Sequence, residues 1–131
     1  MNETLAKWSP QVLSVLRIIT GFLFLWHGAQ KLFNFPPSEF KGEVPAFIKY
    51  GAGGLEFIGG ILILFGLFTR PTAFILSGLM AVAYFMAHGL NAFLPIVNQG
   101  ELAVLYCFVF FYLFFAGGGA WSLDRLIWKK D

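Results

Sequence analysis

The chain has 131 residues, a net charge of +2, and a composition that is 58% hydrophobic and only 12% charged. A soluble domain carries charge on about a quarter of its residues, so this composition indicates an integral membrane protein. The small, dispersed positive charge argues against nucleic acid as a partner. The one cysteine, Cys107, leaves no intrachain disulfide and no cysteine-based metal motif.

Four apolar segments are long enough to cross a bilayer as helices, which takes about 20 residues each. They cover residues 10–33, 52–69, 71–90 and 102–121. The sequence therefore predicts an all-α fold, a single domain over residues 1–131 that forms a four-helix transmembrane bundle. The stretch 36–50 is predicted to be the main loop, with a short helix near residues 45–50.

Local signals support the starts of three of these helices. Ser9 is followed by Pro10, the order expected for a cap residue and a first helical position. Pro71 opens the third segment in the same way. The run from Asn98 to Glu101 resembles a capping box before the fourth segment.

The distribution of lysine and arginine predicts the orientation of the bundle. Four spans place both termini on one side, with these basic residues: Lys7, Arg70, Arg125, Lys129 and Lys130. The other side carries fewer: Lys31, Lys41 and Lys49. The positive-inside rule then places both termini in the cytoplasm of a bacterial-type inner membrane.

Glu56 is the one charged residue of the second segment. A carboxylate at membrane depth is costly and usually faces the bundle interior or a wet cavity, where it has a partner. The predicted topology places several polar residues in the same, extracytoplasmic leaflet: His27, Lys31, Glu56, Tyr84, His88, Asn98 and Glu101. We expect them to form a ligand-binding or proton-relay cluster, with Glu56 within hydrogen-bonding reach of His27, Lys31 or His88.

Helical phase places these polar residues on the faces that pack. At about 100° per residue, one stripe of the first helix carries Arg17, Gly21, Phe24, Gly28 and Lys31. The second helix has a face with Glu56, Gly59, Gly60 and Ile63, and small residues let membrane helices approach closely. Structural explanations remain for single residues, because Lys31 can extend to the membrane interface and Glu101 can favour a helix start.

Arg17 is predicted to act separately from this cluster. It lies in the opposite leaflet, about 15 Å from His27 along the first helix. Its expected neighbours are the carbonyl groups of the glycine run 117–119 and the carboxylate of Asp124. Arg17 and Asp124 are therefore predicted to be structural.

Several stretches of the chain together resemble the DoxX family of small four-helix membrane proteins. They are LRIITG (16–21) with HGAQKL (27–32), GGLEFIGG (53–60), LFGLFTR (64–70), NQGELA (98–103) and GGGAWSLD (117–124). The resemblance covers nearly the whole chain, with Ala120 where the family pattern favours a basic or polar residue. It implies a link to membrane oxidoreductase complexes, such as the thiosulfate:quinone oxidoreductase for which the family is named. It implies no cofactor-binding residue.

The leading hypothesis is a redox-associated subunit that binds a quinone-like or other small molecule at the cluster. His27 and His88 titrate near neutrality and could donate hydrogen bonds or carry protons, and Glu56 and Glu101 could relay them. No flavin, iron–sulfur or c-type haem motif is present, so another redox or membrane protein would have to supply electrons.

Other hypotheses remain for the same residues. A haem or a zinc ion held by His27 and His88 is disfavoured by the nearby carboxylate and by the absence of a recognised spacing, so no metal site is predicted. The main alternative is a non-enzymatic accessory subunit or a solute or proton conduit, in which the cluster is a structural latch. No motif decides whether the protein is an enzyme.

Overall fold

The structure is a computed structural model that describes residues 2–37, 45–89 and 92–129. These residues are mostly helical, and no strand occurs among them. The α-helices are α1 (Asn2–Lys7), α2 (Ser9–Phe33), α3 (Gly53–Phe65), α4 (Thr69–Tyr84), α5 (Pro95–Asn98), α6 (Glu101–Ala116) and α7 (Leu123–Trp128). Two π-helical segments extend them: Phe47–Ala52 precedes α3, and Phe85–Gly89 follows α4.

Three continuous helical segments of this region are long and apolar enough to cross a membrane: Ser9–Phe33, Phe47–Phe65 and Thr69–Gly89. The apolar helix α6 is shorter, with 16 residues. The predicted fold class, a helical membrane bundle, is confirmed.

Several predicted boundaries differ from the structure. The short helix expected near residues 45–50 is instead the π-helical segment, which continues into α3. The second segment was predicted to run to residue 69, but α3 ends at Phe65 because Gly66 adopts a left-handed conformation with φ 71°. Helix α4 then begins at Thr69, before Pro71.

The fourth predicted segment is too long. Helix α6 ends at Ala116, and the chain leaves the helix at Gly117, which has φ 81° and ψ −167°. Gly119 also has a positive φ, of 86°. Glycine adopts such conformations without the steric cost that a side chain would bring, so the glycine run ends the helix before residue 121.

The predicted capping roles of Ser9 and of the Asn98–Glu101 run are wrong. Ser9 is already inside α2, and Trp8, the residue before it, connects α2 to α1. The cap residue of α6 is Gly100, which has no side chain to form a cap. The Asn98 Oδ1 atom instead accepts a hydrogen bond from the backbone N–H of Gly100.

The bundle consists of two closely packed helix pairs, α2 with α3 and α4 with α6, which contact each other less extensively. Glycines bring the first pair together. A Cβ atom on Gly21 would collide with the backbone of Gly60 and Leu64, and one on Gly28 would collide with that of Gly53 and Phe57. Close backbone approach of this kind is how small residues stabilise pairs of membrane helices.

The apolar core lies between the two helix pairs. Its fully buried members come from four helices: Phe24, Ile63, Leu76, Phe110 and Leu113. The predicted packing faces are confirmed, because Arg17, Gly21 and Gly28 of α2 and Glu56, Gly59 and Gly60 of α3 are buried.

Candidate functional site

An ion pair joins the last turn of α2 to the first turn of α3. The Nζ atom of Lys31 lies 2.7 Å from Oε1 of Glu56. Glu56 is only 4% exposed, whereas the Lys31 side chain is 31% exposed. The close approach at Gly28 and Gly53 brings the two helix ends together. The prediction that Glu56 lies within reach of His27, Lys31 or His88 is therefore confirmed, with Lys31 as the partner.

The carboxylate of Glu56 keeps unused hydrogen-bonding capacity. The Lys31 ammonium, 2.7 Å from Oε1, takes up one acceptor position of this carboxylate. An ionised carboxylate offers about four acceptor positions on its two oxygens. Buried acceptor positions that stay empty are costly, so Glu56 is a position where a ligand group would gain a hydrogen bond.

Glu56 lines a pocket of about 400 Å³, which we call the Glu56 pocket. It lies between the α2–α3 pair and α4, where the two π-helical segments contribute. Three ionisable side chains reach its lining: Lys31, Glu56 and His88. The rest of the lining is apolar and includes Phe47, Ile48, Leu79, Met80, Val82 and Met86. A mostly apolar cavity with a few convergent polar groups is the usual form of a small-molecule site.

His88, Asn98 and Tyr84 form a hydrogen-bonded network beside the pocket. The Nδ1 atom of His88 lies 3.1 Å from the carbonyl oxygen of Asn98. The Asn98 amide donates to the hydroxyl of Tyr84, at 2.8 Å, and to the carbonyl of Ala92, at 3.0 Å. The structure thus brings these three predicted residues together, but only His88 also lines the Glu56 pocket.

His27 lies on another side of Glu56. Its ring packs against Phe24 and against Tyr106 of α6, with ring centroids 6.2 Å and 5.9 Å apart. The charge of Glu56 acts on both His27 and Tyr106. His27 is therefore close enough to Glu56 for an electrostatic interaction, but it does not line the pocket.

Glu101 is not brought into the cluster. It is exposed in the first turn of α6 and lines a separate, open groove with Leu94, Pro95 and Phe108. A shared depth along the bundle axis did not imply a shared site, because Glu101 is exposed and lines a different groove.

Arg17 binds backbone carbonyl groups from three parts of the chain. Its Nε donates to Ile63 at 2.9 Å, one Nη donates to Trp121 at 2.8 Å, and the other donates to Gly118. Ser14 Oγ also donates to Gly118, at 3.0 Å, and accepts from the N–H of Trp121. The predicted contact of Arg17 with the glycine run is confirmed.

Asp124 caps the start of α4 next to this network. Its carboxylate accepts hydrogen bonds from the backbone N–H groups of Phe68, at 2.6 Å, and Thr69, at 2.8 Å. A carboxylate is favourable at the positive end of a helix dipole. Asp124 also interacts electrostatically with Arg17. We call the set of Ser14, Arg17, Asp124 and the bound carbonyl groups the arginine network.

Sequence reasoning missed several buried polar residues, among them Ser14 and Tyr106. Ser14 is fully buried and lies one turn before Arg17 on the same face of α2, so its i, i+3 spacing was an available signal. Tyr106 is a polar residue within the apolar run of α6 and is also buried. Among the residues that the structure describes, no group of three His, Cys, Asp or Glu side chains could hold a metal ion.

The fold and this polar arrangement define a small helical membrane protein with a lipid-facing exterior and buried charges at both ends of its bundle. The sequence model of the DoxX family matches residues 12–89, and the chain belongs to that family. This confirms the resemblance found in the sequence. No solved structure matches the chain.

Curated relatives support the same assignment. A Haemophilus influenzae protein described as an "Uncharacterized protein" is 45% identical over 99% of this chain and 100% of its own length. The "Inner membrane protein YqjF" of Escherichia coli is 34% identical, over 88% of this chain and 92% of the relative. The Bacillus subtilis "Putative oxidoreductase CatD" is 30% identical, over 88% and 86%.

Proposed function

We propose that the protein is a redox-associated membrane subunit that binds a quinone-like small molecule in the Glu56 pocket. The observation that carries the proposal is the Lys31–Glu56 ion pair, with its buried carboxylate, at the lining of a mostly apolar cavity. The apolar lining suits the ring and tail of a lipophilic molecule, and the charged pair suits a polar head. The volume also lies within the range of about 300–1,000 Å³ that is usual for such sites.

The polar residues of the pocket suit the chemistry of a quinone head group. Lys31 can donate a hydrogen bond, Glu56 can accept one, and the His88 ring has one nitrogen that donates and one that accepts when it is neutral. Electrons would come from a partner protein, because the chain has no electron-carrying motif of its own. One relative is named as an oxidoreductase, and this supports the redox association.

We further propose that the chain crosses a bacterial inner membrane four times, with both termini in the cytoplasm. The positive-inside rule supports this orientation, and a relative named as an inner membrane protein supports the compartment. On this topology the Glu56 pocket opens in the extracytoplasmic leaflet. A reporter enzyme that is active only in the cytoplasm should be active when it is fused after residue 131. Activity of a periplasmic reporter there would overturn the orientation.

A structural latch is the second candidate function for the same residues. The Lys31–Glu56 pair joins α2 to α3, and that contact could serve assembly of an accessory subunit without any ligand. The two candidates differ in what the pocket itself does, so occupancy of the pocket distinguishes them.

The test fills the pocket without disturbing its charges. Val82 lines the pocket and is 56% exposed, so phenylalanine there should narrow the cavity and leave the core intact. Ile75→Phe is the matched control, because Ile75 is exposed on the same helix and is outside the pocket. Binding of a decyl-tailed benzoquinone and of its reduced form is measured by equilibrium dialysis in detergent.

We expect Val82→Phe to weaken binding at least about tenfold, since overpacking of a fitted site typically costs 1–3 kcal/mol. Ile75→Phe should bind as the unmodified protein does. If the unmodified protein binds neither form, and Glu56→Gln lowers the melting temperature, the latch is the better explanation. Equal binding by Val82→Phe and the unmodified protein would place the ligand elsewhere.

A further inference from the structure

We propose that the Glu56 pocket binds the reduced, dihydroxy form of a quinone more tightly than the oxidised form. This inference rests on the proposed function and names the chemical form that the site selects. A quinone head has two carbonyl oxygens, which only accept hydrogen bonds. The corresponding quinol has two hydroxyl groups, which donate as well as accept. The hydrogen-bonding groups of the pocket therefore decide between the two forms.

Glu56 presents a carboxylate with acceptor positions beyond the one that faces Lys31, whose Nζ atom lies 2.7 Å from Oε1. Glu56 is only 4% exposed and lines the pocket. A quinone carbonyl placed against this carboxylate would bring two acceptors together with no hydrogen between them. A quinol hydroxyl would instead donate to it, and hydrogen bonds to charged groups are the stronger ones.

His88 presents a second acceptor when its imidazole is neutral. The carbonyl oxygen of Asn98 can only accept, so the contact of 3.1 Å with Nδ1 requires the proton to be on Nδ1. In the neutral ring Nε2 is then the acceptor. The side-chain amide of Asn98 is hydrogen-bonded to Tyr84 and Ala92, and these two contacts hold the backbone carbonyl of Asn98 in place. This network therefore favours the His88 tautomer whose Nε2 atom can accept a hydrogen bond from a ligand.

Lys31 is the one cationic side chain in the described lining of the pocket. Its Nζ atom is already 2.7 Å from Glu56, so its charge is largely balanced by that carboxylate. Of the three ionisable groups in the lining, only Lys31 could donate a hydrogen bond to a quinone. A quinol can donate to Glu56 and to His88 and can still accept from Lys31. All three ionisable groups of the lining thus find a complementary partner only in the reduced form.

The preference has a redox consequence. A protein that binds the reduced form more tightly raises the midpoint potential of the bound couple. For a two-electron couple each tenfold preference corresponds to about 30 mV. The bound quinone would therefore accept electrons more readily than the free quinone does, and the partner protein would be the electron donor.

The experiment compares the two forms of one decyl-tailed benzoquinone under anaerobic conditions. Their dissociation constants are measured by equilibrium dialysis with the full-length protein, and their ratio is the readout. We expect the unmodified protein to bind the quinol at least about tenfold more tightly, the difference expected for satisfying one buried charged acceptor. Glu56→Gln should reduce this ratio to about threefold or less, because the amide can donate to a quinone carbonyl.

Glu101→Gln is the matched control, since it makes the same change at an exposed position outside the pocket, and its ratio should not change. If Glu56→Gln does not fold, the double variant Lys31→Met with Glu56→Gln removes both charges and tests the same ratio. Equal binding of the two forms, or tighter binding of the quinone, would overturn the inference while leaving the proposed function intact. Binding of neither form would remove the proposed function itself.

Discussion

The arginine network and the Glu56 pocket are two polar regions of one bundle with opposite surroundings. Arg17 is 1% exposed and donates to the carbonyl groups of Ile63, Gly118 and Trp121. Glu56 is 4% exposed, has Lys31 as its near neighbour, and borders a cavity. Both are costly charges in a membrane bundle, but only the first is surrounded by hydrogen-bonding partners.

The difference indicates how a buried charge in a membrane protein can be interpreted. Arg17 also borders a cavity, but its hydrogen bonds go to backbone carbonyl groups, so this charge stabilises the fold. A charge that keeps unused capacity beside an apolar cavity leaves both room and a reason for a ligand to bind. Variants at the two regions should therefore separate stability from binding.

The largest effect is expected for Arg17→Leu. It removes the donors for the carbonyl groups of three separate segments and leaves Asp124 without its cationic neighbour. Breaking a buried charged network costs about 3–5 kcal/mol, so the melting temperature in detergent should fall strongly. Arg17→Lys should recover only part of the loss, because lysine lacks the planar fork that reaches several acceptors.

Arg125→Leu is the control for this variant, because Arg125 is exposed at the same end of the bundle. Its melting temperature should stay close to that of the unmodified protein. A folded Arg17→Leu protein of normal stability that no longer binds the quinol would contradict the separation of the two regions.

A smaller effect is expected for Gly28→Ala, which acts on the helix contact that supports the Glu56 pocket. The added Cβ would collide with the backbone of Gly53 and Phe57, so α2 must move away from α3 near the Lys31–Glu56 pair. Overpacking of this kind costs about 1–3 kcal/mol. We expect a moderate loss of thermal stability together with weaker quinol binding, measured on the same preparation.

Gly54→Ala is the matched control for this substitution. Gly54 is also in α3, but no atom lies within 4 Å of a Cβ placed there. Its stability should be unchanged or higher by up to about 1 kcal/mol, since alanine favours a helix over glycine. Equal losses in both variants would show that helix propensity, not the close approach of α2 and α3, controls stability at this end.

The sequence by itself determined the fold class and placed two charges, Arg17 and Glu56, in the bundle interior. Long apolar runs with few charges require helices in lipid, because every backbone group must find its partner within the segment. The helical period then placed Arg17 and Glu56 on packing faces, since a charge is not tolerated toward lipid. These conclusions depend on local composition and spacing, which the sequence contains in full.

Only the tertiary structure decided which polar residues meet and where α6 ends. Depth along the bundle grouped Glu101 with Glu56, but in the structure the two residues line separate cavities. Helix α6 stops at Ala116 because glycines with positive φ turn the chain so that its carbonyl groups face Arg17, which is distant in sequence. Such contacts depend on the relative rotation of packed helices, and no local pattern encodes that rotation.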